Sequence, residues 1–196
     1  MKNLLVSLLL VCPFVCFGQQ TINKTIVVDG ISRTFILYVP ANYTPGIHVP
    51  VVLNFHGYTG SSNMQMVHCN FRPIADTANF LIVHPQGTRD NLNNTHWNVG
   101  LGMSTVDDVN FIIALLDSLS QEYSIDSTRI YAAGFSNGGS FSVKLACDLS
   151  TQIAAVASVG GPFANHQDTA CYPQRPMPFM LIHGTSDGII PYTVPV

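Results

Sequence analysis

The chain has 196 residues, of which 47% are hydrophobic and 10% are charged, and its formal net charge is −3. This length suits one domain with a sizeable buried core and leaves little room for a second. The small negative net charge, without any basic run, excludes nucleic-acid binding through a basic surface. The sequence has no internal repeat, heptad pattern or low-complexity tract.

The N-terminal segment, residues 1–18, has the features of a secretory signal. Lys2 supplies a positive charge, residues 4–17 are mostly apolar, and Gly18 is small enough to mark a cleavage site. A membrane anchor is the competing interpretation, but the apolar stretch is short for a span and contains a proline. We therefore expect secretion, extracellular or periplasmic, with residues 19–196 as the mature domain and no stable membrane insertion.

Export to an oxidising compartment makes the cysteines informative. Cys12 and Cys16 lie in the leader, where a lipoprotein signal through one of them is an open alternative. The mature domain keeps Cys69, Cys147 and Cys171, an odd number. Because Cys147 ends a predicted helix and Cys171 precedes a predicted strand, we expect these two to form a disulfide, with Cys69 as a small buried hydrophobic residue.

Short runs of β-branched, apolar and aromatic residues predict the strands: 25–28, 33–39, 51–55, 80–83, 129–133, 153–159 and 179–182. The first two runs are joined by Asp29-Gly30, a strong hairpin signal. The runs at 51–55, 80–83 and 153–159 are nearly continuously apolar, as expected of strands that are covered on both faces.

Three segments between these runs suit helices: 63–79, 106–123 and 140–149. In the first, Pro73 marks a helix start or a kink. The second is the clearest, because it carries one apolar stripe made of Val109, Ile112, Ile113, Leu116 and Leu119. Asp107 and Asp108 in its first turn are interpreted as a helix start.

Strands that alternate with helices after an initial hairpin predict an α/β fold, with a mostly parallel sheet and helices on both faces. Ligands of such sheets bind beyond the carboxyl ends of the strands. The turns that follow residues 55, 83, 134 and 182 are rich in Gly and His and all fall at this edge. A long polar loop over 88–105 carries Trp97, which is a candidate substrate contact or, alternatively, a buried residue beneath the loop.

The stretch Gly134-Phe135-Ser136-Asn137-Gly138 follows a predicted strand and precedes a helix, the context of a nucleophile elbow. The serine oxygen then projects from the end of the sheet, and the backbone amide of Asn137 lies at the positive end of the helix, where an oxyanion would form. A glycine-rich loop with an incidental serine is the alternative.

A second oxyanion donor is expected in the loop His56-Gly57-Tyr58, through the backbone amide of Tyr58. Gly57 would let the backbone approach the substrate closely. His56 is interpreted as a residue that fixes this loop. An ordinary turn at the end of a strand is the alternative interpretation.

Asp187 follows the second strand after the serine, where the acid of a Ser-Asp-His triad is expected in this chain order. Its alternative role is to cap a turn. All seven histidines precede it, and His183, only four residues away, is interpreted as structural. The sequence therefore predicts either part of a longer protein, whose last helix, strand and histidine loop are missing here, or a serine without its usual base.

Several motifs in this order carry a resemblance: Leu53–Tyr58, Ile74–Asp76, Pro85–Gly87, Trp97-Asn98, Val106–Val109, Gly134–Gly139 and His183–Tyr192. The chain resembles the secreted polyhydroxybutyrate depolymerase and feruloyl esterase group of the α/β-hydrolases from about residue 22 to its end. The resemblance implies Ser136 as nucleophile, Asp187 as triad acid, an acyl-ester substrate and no cofactor or metal. The catalytic histidine of the family lies in a His-x-Trp-Pro-like segment beyond the acid, which this sequence lacks.

The sequence thus favours an exported serine esterase that acts on a simple or polymeric ester, of the polyhydroxyalkanoate or feruloyl- or acetyl-polysaccharide type. Because the catalytic histidine is absent, a non-catalytic derivative that binds carbohydrate or polymer is an alternative from another class. A secreted serine peptidase or acyltransferase on the same scaffold is a third.

Overall fold

The computed structural model describes residues 18–161 and 171–192. Within them the strands are β1 (Gln20–Val28), β2 (Ile31–Val39), β3 (Val49–Phe55), β4 (Leu81–Pro85), β5 (Thr88–Arg89), β6 (Thr95–His96), β7 (Ile125–Phe135), β8 (Ala155–Val159) and β9 (Phe179–Ile182). The helices are α1 (Ser62–His68), α2 (Arg72–Ala78), α3 (Asp108–Glu122) and α4 (Asn137–Asp148).

Seven strands form one sheet in the order β1-β2-β4-β3-β7-β8-β9. β1, β2 and β4 pair antiparallel, while β4, β3, β7, β8 and β9 run parallel. Asp29 and Gly30, between β1 and β2, both have positive φ, as a two-residue I′ hairpin turn requires. The predicted hairpin and mostly parallel sheet are confirmed.

Helices cover both faces of the sheet because alternate residues of each strand point to opposite sides. On one side, Leu53 and Phe55 of β3 pack in the main core with residues of α3 and α4. On the other side, Tyr38 of β2 and Ile82 of β4 pack with Ala75 of α2. The order and parallel direction of β4, β3, β7, β8 and β9 put the loops that follow these strands at one edge of the sheet.

The predicted helical segment 63–79 is divided into α1 and α2. α1 ends at His68, and the amide of the next residue, Cys69, bonds to the Gln65 carbonyl at 2.9 Å. Pro73 lies in the first turn of α2. Proline is tolerated there because the first helical amides have no partner in the helix. Pro73 therefore marks a helix start.

α3 begins after Asp107, whose Oδ1 accepts a hydrogen bond from the Asn110 amide at 2.9 Å. The predicted helix start is confirmed. The buried stripe of α3 also includes Phe111 and Leu115, while Val109 and Ile113 are only partly buried.

Outside the main sheet, the polar loop after β4 holds the short hairpin β5–β6, which the sequence analysis did not predict. A disulfide joins Cys147, in the last turn of α4, to Cys171, with their Cα atoms 4.9 Å apart. Cys69 is a free cysteine and is only partly buried, which corrects its expected full burial.

The predicted signal falls almost entirely on residues 1–17, outside the described residues. Among residues 18–161 and 171–192, no helix is both long and apolar enough to cross a bilayer.

Candidate active site

Ser136 lies in the tight turn between β7 and α4, with φ 52° and ψ −120°. Positive φ in a residue with a side chain is strained and persists only where the surrounding structure enforces it. The Ser136 amide donates to the Val159 carbonyl at 2.8 Å, which ties the turn to the end of β8. This is the geometry expected of a nucleophile elbow.

The glycines of the elbow are required by close backbone approaches. A Cβ at Gly134 would collide with the carbonyl of Gly138 across the turn. A Cβ at Gly138 would lie 2.5 Å from the Phe55 carbonyl oxygen and would also collide with the His56 carbonyl. The end of β3 therefore passes directly behind the elbow.

The loop that follows β3 lies against the serine. A Cβ at Gly57 would be 3.1 Å from Cδ1 of Phe135 and 3.4 Å from Cβ of Ser136. The next backbone amide, that of Tyr58, has no acceptor among the described residues. The glycine thus lets this amide lie close to the serine.

The second free amide lies at the start of α4. The first hydrogen bond of this helix runs from the Ser140 amide to the Ser136 carbonyl at 3.0 Å, so the Asn137 amide has no acceptor within it. It also points out of the positive end of the helix. Two main-chain donors, from Asn137 and Tyr58, therefore belong to the two segments that meet at Ser136.

The side chain of Asn137 is already occupied. Its Oδ1 accepts from the Trp97 amide at 2.7 Å and its Nδ2 donates to the Trp97 carbonyl at 3.1 Å. Trp97 is 0% exposed, its ring stacks on Phe141 at 4.9 Å, and its Nε1 donates to the His56 carbonyl at 3.0 Å. Of the two alternatives for Trp97, the structure therefore favours a residue buried beneath the loop. Because its side chain is fully buried, Trp97 is not a substrate contact.

His56 connects three loops beneath the site. Its Nδ1 bonds to the Gly57 carbonyl at 2.8 Å, and its Nε2 accepts from the Gly87 amide at 3.0 Å. Burial lowers the pKa of His56, so the ring is neutral. With both nitrogens engaged, His56 fixes its loop.

The phenol of Tyr58 lies at the rim of the site and is partly exposed. It donates to Oδ2 of Asp90 at 2.7 Å and accepts from Nδ2 of Asn94 at 2.9 Å. The neighbouring Thr59 amide bonds to the Thr95 carbonyl at 2.8 Å. The β5–β6 segment therefore holds the loop that carries the Tyr58 amide.

Asp187 lies on the same edge of the sheet as Ser136, beyond the end of β9. Strands β7 and β9 flank β8, which puts the starts of their loops about 10 Å apart. A Cβ at Gly160, directly after β8, would be 4.0 Å from Oδ2 of Asp187. This places the carboxylate beside the loop that follows β8, on the same edge of the sheet as the serine.

One oxygen of Asp187 is bound and the other is largely free. Oδ1 accepts from the amides of Ile189 and Ile190, both at 2.9 Å, and these bonds lower the pKa of Asp187. Oδ2 lies 3.6 Å from Nε2 of His183, which itself bonds to the Ile190 carbonyl at 2.8 Å. The carboxylate is ionised, and His183 is held by its own loop, as expected of a structural residue.

A buried ion pair beneath the site was missed by the sequence analysis. Arg33 of β2 donates to Oδ1 of Asp108 at 2.6 Å, and Oδ2 of Asp108 accepts from the Asn98 amide at 2.7 Å. Asp108 therefore does more than begin α3, because it also anchors the backbone next to Trp97. The sequence signal for this ion pair was Arg33, a charged residue within the β-branched and apolar run of β2.

The described residues, 18–161 and 171–192, contain no group of three or more His, Cys, Asp or Glu that could hold a metal ion. The chemistry that the site offers is that of a serine hydroxyl, a carboxylate and two main-chain amides.

The chain has sequence similarity to known esterases. A family model described as phospholipase/carboxylesterase matches residues 103–195. The chain is 32% identical over 178 residues to a bifunctional acetylxylan esterase/xylanase of Neocallimastix patriciarum, covering 88% of this chain and 24% of that protein. It is 29% identical over 162 residues to feruloyl esterase B of Piromyces equi, covering 82% of this chain and 30% of that protein.

The fold is also found in solved structures. An S-formylglutathione hydrolase from Agrobacterium tumefaciens superposes with a TM-score of 0.70 at 16% identity, covering 88% of this chain and 78% of that one. The chain thus has the α/β-hydrolase fold, and its sequence similarity is to proteins described as esterases. It spans less than a third of the two curated relatives described above.

Proposed function

We propose that this chain carries the nucleophile, oxyanion site and triad acid of an exported carboxylic ester hydrolase. The observation that carries the proposal is the strained turn at Ser136, with the free amides of Tyr58 and Asn137 beside it. Asp187 on the same edge of the sheet supports its role as triad acid. The sequence similarity to feruloyl and acetylxylan esterases favours an acyl group on a polysaccharide, and a polyhydroxyalkanoate is the other substrate that the resemblance suggests.

In the proposed reaction, Oγ of Ser136 attacks the ester carbonyl carbon while a histidine accepts the hydroxyl proton. The carbonyl oxygen becomes an oxyanion that accepts hydrogen bonds from the amides of Tyr58 and Asn137. Collapse of this intermediate breaks the bond to the alcohol, which leaves with the proton from the histidine. Water then attacks the acyl-enzyme by the same steps, releasing the carboxylic acid and restoring the serine.

The electrostatics of the site suit this reaction. The Asn137 amide adds the positive end of α4, a helix of 12 residues, to the hydrogen bond that it donates. One main-chain donor of this kind contributes a factor of about 10²–10³ to kcat. The ionised Asp187 would orient the histidine and stabilise its protonated form.

The histidine itself is proposed to come from polypeptide outside these 196 residues. Among the described histidines, His56 and His183 lie near the site, and both are engaged by backbone groups. All four residues of β9 are exposed, from Phe179 at 44% to Met180 at 59%. An exposed apolar strand of this extent is suited to burial by additional polypeptide.

Activity of the complete gene product on feruloyl, acetyl, hydroxyalkanoate and peptide substrates tests this function. We expect ester hydrolysis, with Ser136→Ala lowering kcat by at least about 10⁴-fold and Asp187→Asn by about 10⁴-fold. Full activity of Ser136→Ala would contradict the proposal.

The same experiment separates the alternative of a non-catalytic binding protein. That function predicts no hydrolysis by the wild-type protein. It also predicts retention on plant cell-wall or polyester material that Ser136→Ala leaves unchanged.

A further inference from the structure

We propose that His56 is a positioning residue for the oxyanion site. Its imidazole fixes the peptide group between Gly57 and Tyr58, and thereby aims the Tyr58 amide at the carbonyl oxygen of the substrate. This inference rests on the proposed esterase function and deepens it. It assigns a role to His56, a residue that does not touch the substrate.

The planarity of the peptide group provides the mechanism. A trans peptide is planar, so its C=O and N–H bonds point in opposite directions. The described residues contain no cis peptide bond. The Gly57 carbonyl is held by two donors, Nδ1 of His56 at 2.8 Å and the Gly60 amide at 3.0 Å. The Tyr58 amide, in the same plane, is therefore held pointing away from both.

The tautomer of the ring follows from its other nitrogen. A backbone amide can only donate, and the Gly87 amide lies 3.0 Å from Nε2 of His56. Nε2 is therefore the acceptor, and the proton of the neutral ring is on Nδ1, where it is donated to the Gly57 carbonyl. The side-chain amide of Gln86, 3.2 Å from Nε2, is a second donor to the same nitrogen.

His56 is held through its main-chain carbonyl as well as through its ring. Its carbonyl accepts from the indole of Trp97 at 3.0 Å, and the two rings lie 5.1 Å apart. The residue is 1% exposed. Because Trp97 also bonds to the side chain of Asn137, the two segments that carry the oxyanion donors are connected through Trp97. His56, Trp97 and Asn137 therefore form one network that holds both segments.

Two substitutions separate positioning from packing. In His56→Asn the side-chain amide nitrogen lies close to the former position of Nδ1 and can still donate to the Gly57 carbonyl. In His56→Gln the longer amide reaches toward the former position of Nε2, and that donor is lost. In the complete gene product we expect His56→Gln to lower kcat by about 10²-fold with KM changed less than about threefold, and His56→Asn to stay within about tenfold of wild type.

The decisive readout is the ratio of kcat/KM for an ester to kcat/KM for the matching thionoester. Sulfur is a weaker hydrogen-bond acceptor than oxygen, so a weakened oxyanion donor lowers this ratio. We expect His56→Gln to lower it and His56→Asn to preserve it. His84→Gln is the matched control, because His84 is equally buried on the neighbouring strand. It should reduce stability and leave the ratio unchanged.

An unchanged ratio in folded His56→Gln would overturn the inference. A wild-type protein that hydrolyses no ester would instead refute the proposed function. In that case the ring ¹⁵N chemical shifts of His56 still decide its role. A proton on Nδ1 with an unprotonated Nε2 supports the positioning geometry, and a proton on Nε2 overturns it.

Discussion

At the scale of single residues, the proposed oxyanion donors are main-chain amides, and neighbouring side chains hold that main chain in place. Asn137 shows this division, because its amide faces the site while its side chain bonds twice to Trp97. Trp97 in turn reaches the carbonyl of His56. Substitutions at these side chains are therefore expected to act through the position of the backbone.

Trp97→Phe tests this connection. The phenyl ring keeps most of the stacking on Phe141, but the indole donor to the His56 carbonyl is lost. Leaving a buried carbonyl without its partner costs about 1–3 kcal/mol of unfolding free energy. Chemical denaturation followed by circular dichroism measures this loss.

Tyr172→Phe, at a residue that is 82% exposed, is the control and should change the unfolding free energy by less than about 0.5 kcal/mol. Equal stability of Trp97→Phe and wild type would show that the indole bond does not hold the loop.

At the scale of elements, the ion pair between Arg33 and Asp108 joins β2 to the first residue of α3. Both side chains are nearly inaccessible to solvent, and the guanidinium also lies 3.9 Å from the centre of the Phe111 ring. Asp108 additionally bonds to the Asn98 amide, next to Trp97. The pair therefore contributes to the position of the loop that supports the site.

Asp108→Asn leaves the charge of Arg33 buried without its partner. The expected loss is about 3–5 kcal/mol of unfolding free energy, measured by denaturant titration. Lys144→Ala breaks the exposed pair between Lys144 and Asp148 on α4 and should cost less than about 1 kcal/mol. If both variants lost the same small amount, the buried pair would not be a strong link between the two elements.

The elements also show what the sequence could predict. Asp29-Gly30, the apolar runs of β3 and β4 and the glycines around Ser136 are local signals, because the turn or strand they form depends mainly on neighbouring residues. The β5–β6 hairpin and the ion pair of Arg33 depend on tertiary contacts between residues far apart in the sequence. For the same reason, the burial of Trp97 could not be decided from its place in a polar loop.

At the scale of the whole molecule, two buried histidines couple folding to pH. Burial lowers the pKa of His56 and, with the charge of Arg72 adding to it, lowers the pKa of His84 to about 4. In the unfolded chain both rings have a pKa of about 6.5. Between these values the unfolded chain binds more protons than the folded protein.

The free energy of unfolding should therefore be highest above about pH 6.5 and fall as the pH is lowered from there toward about 4. Denaturant titrations at several pH values measure the slope, which His84→Gln should reduce. A stability that is constant over this range, or that rises toward pH 4, would contradict the neutral state of the buried rings.

Across the molecule, the fold brings three segments distant in sequence to one edge of the sheet, where we propose that they serve the hydroxyl of Ser136. Labelling of the complete gene product with a fluorophosphonate, followed by peptide mapping, tests this claim most directly. The adduct is predicted on Ser136, with loss of ester hydrolysis in proportion to labelling. An esterase-active protein that is labelled and inhibited at a different residue would contradict it.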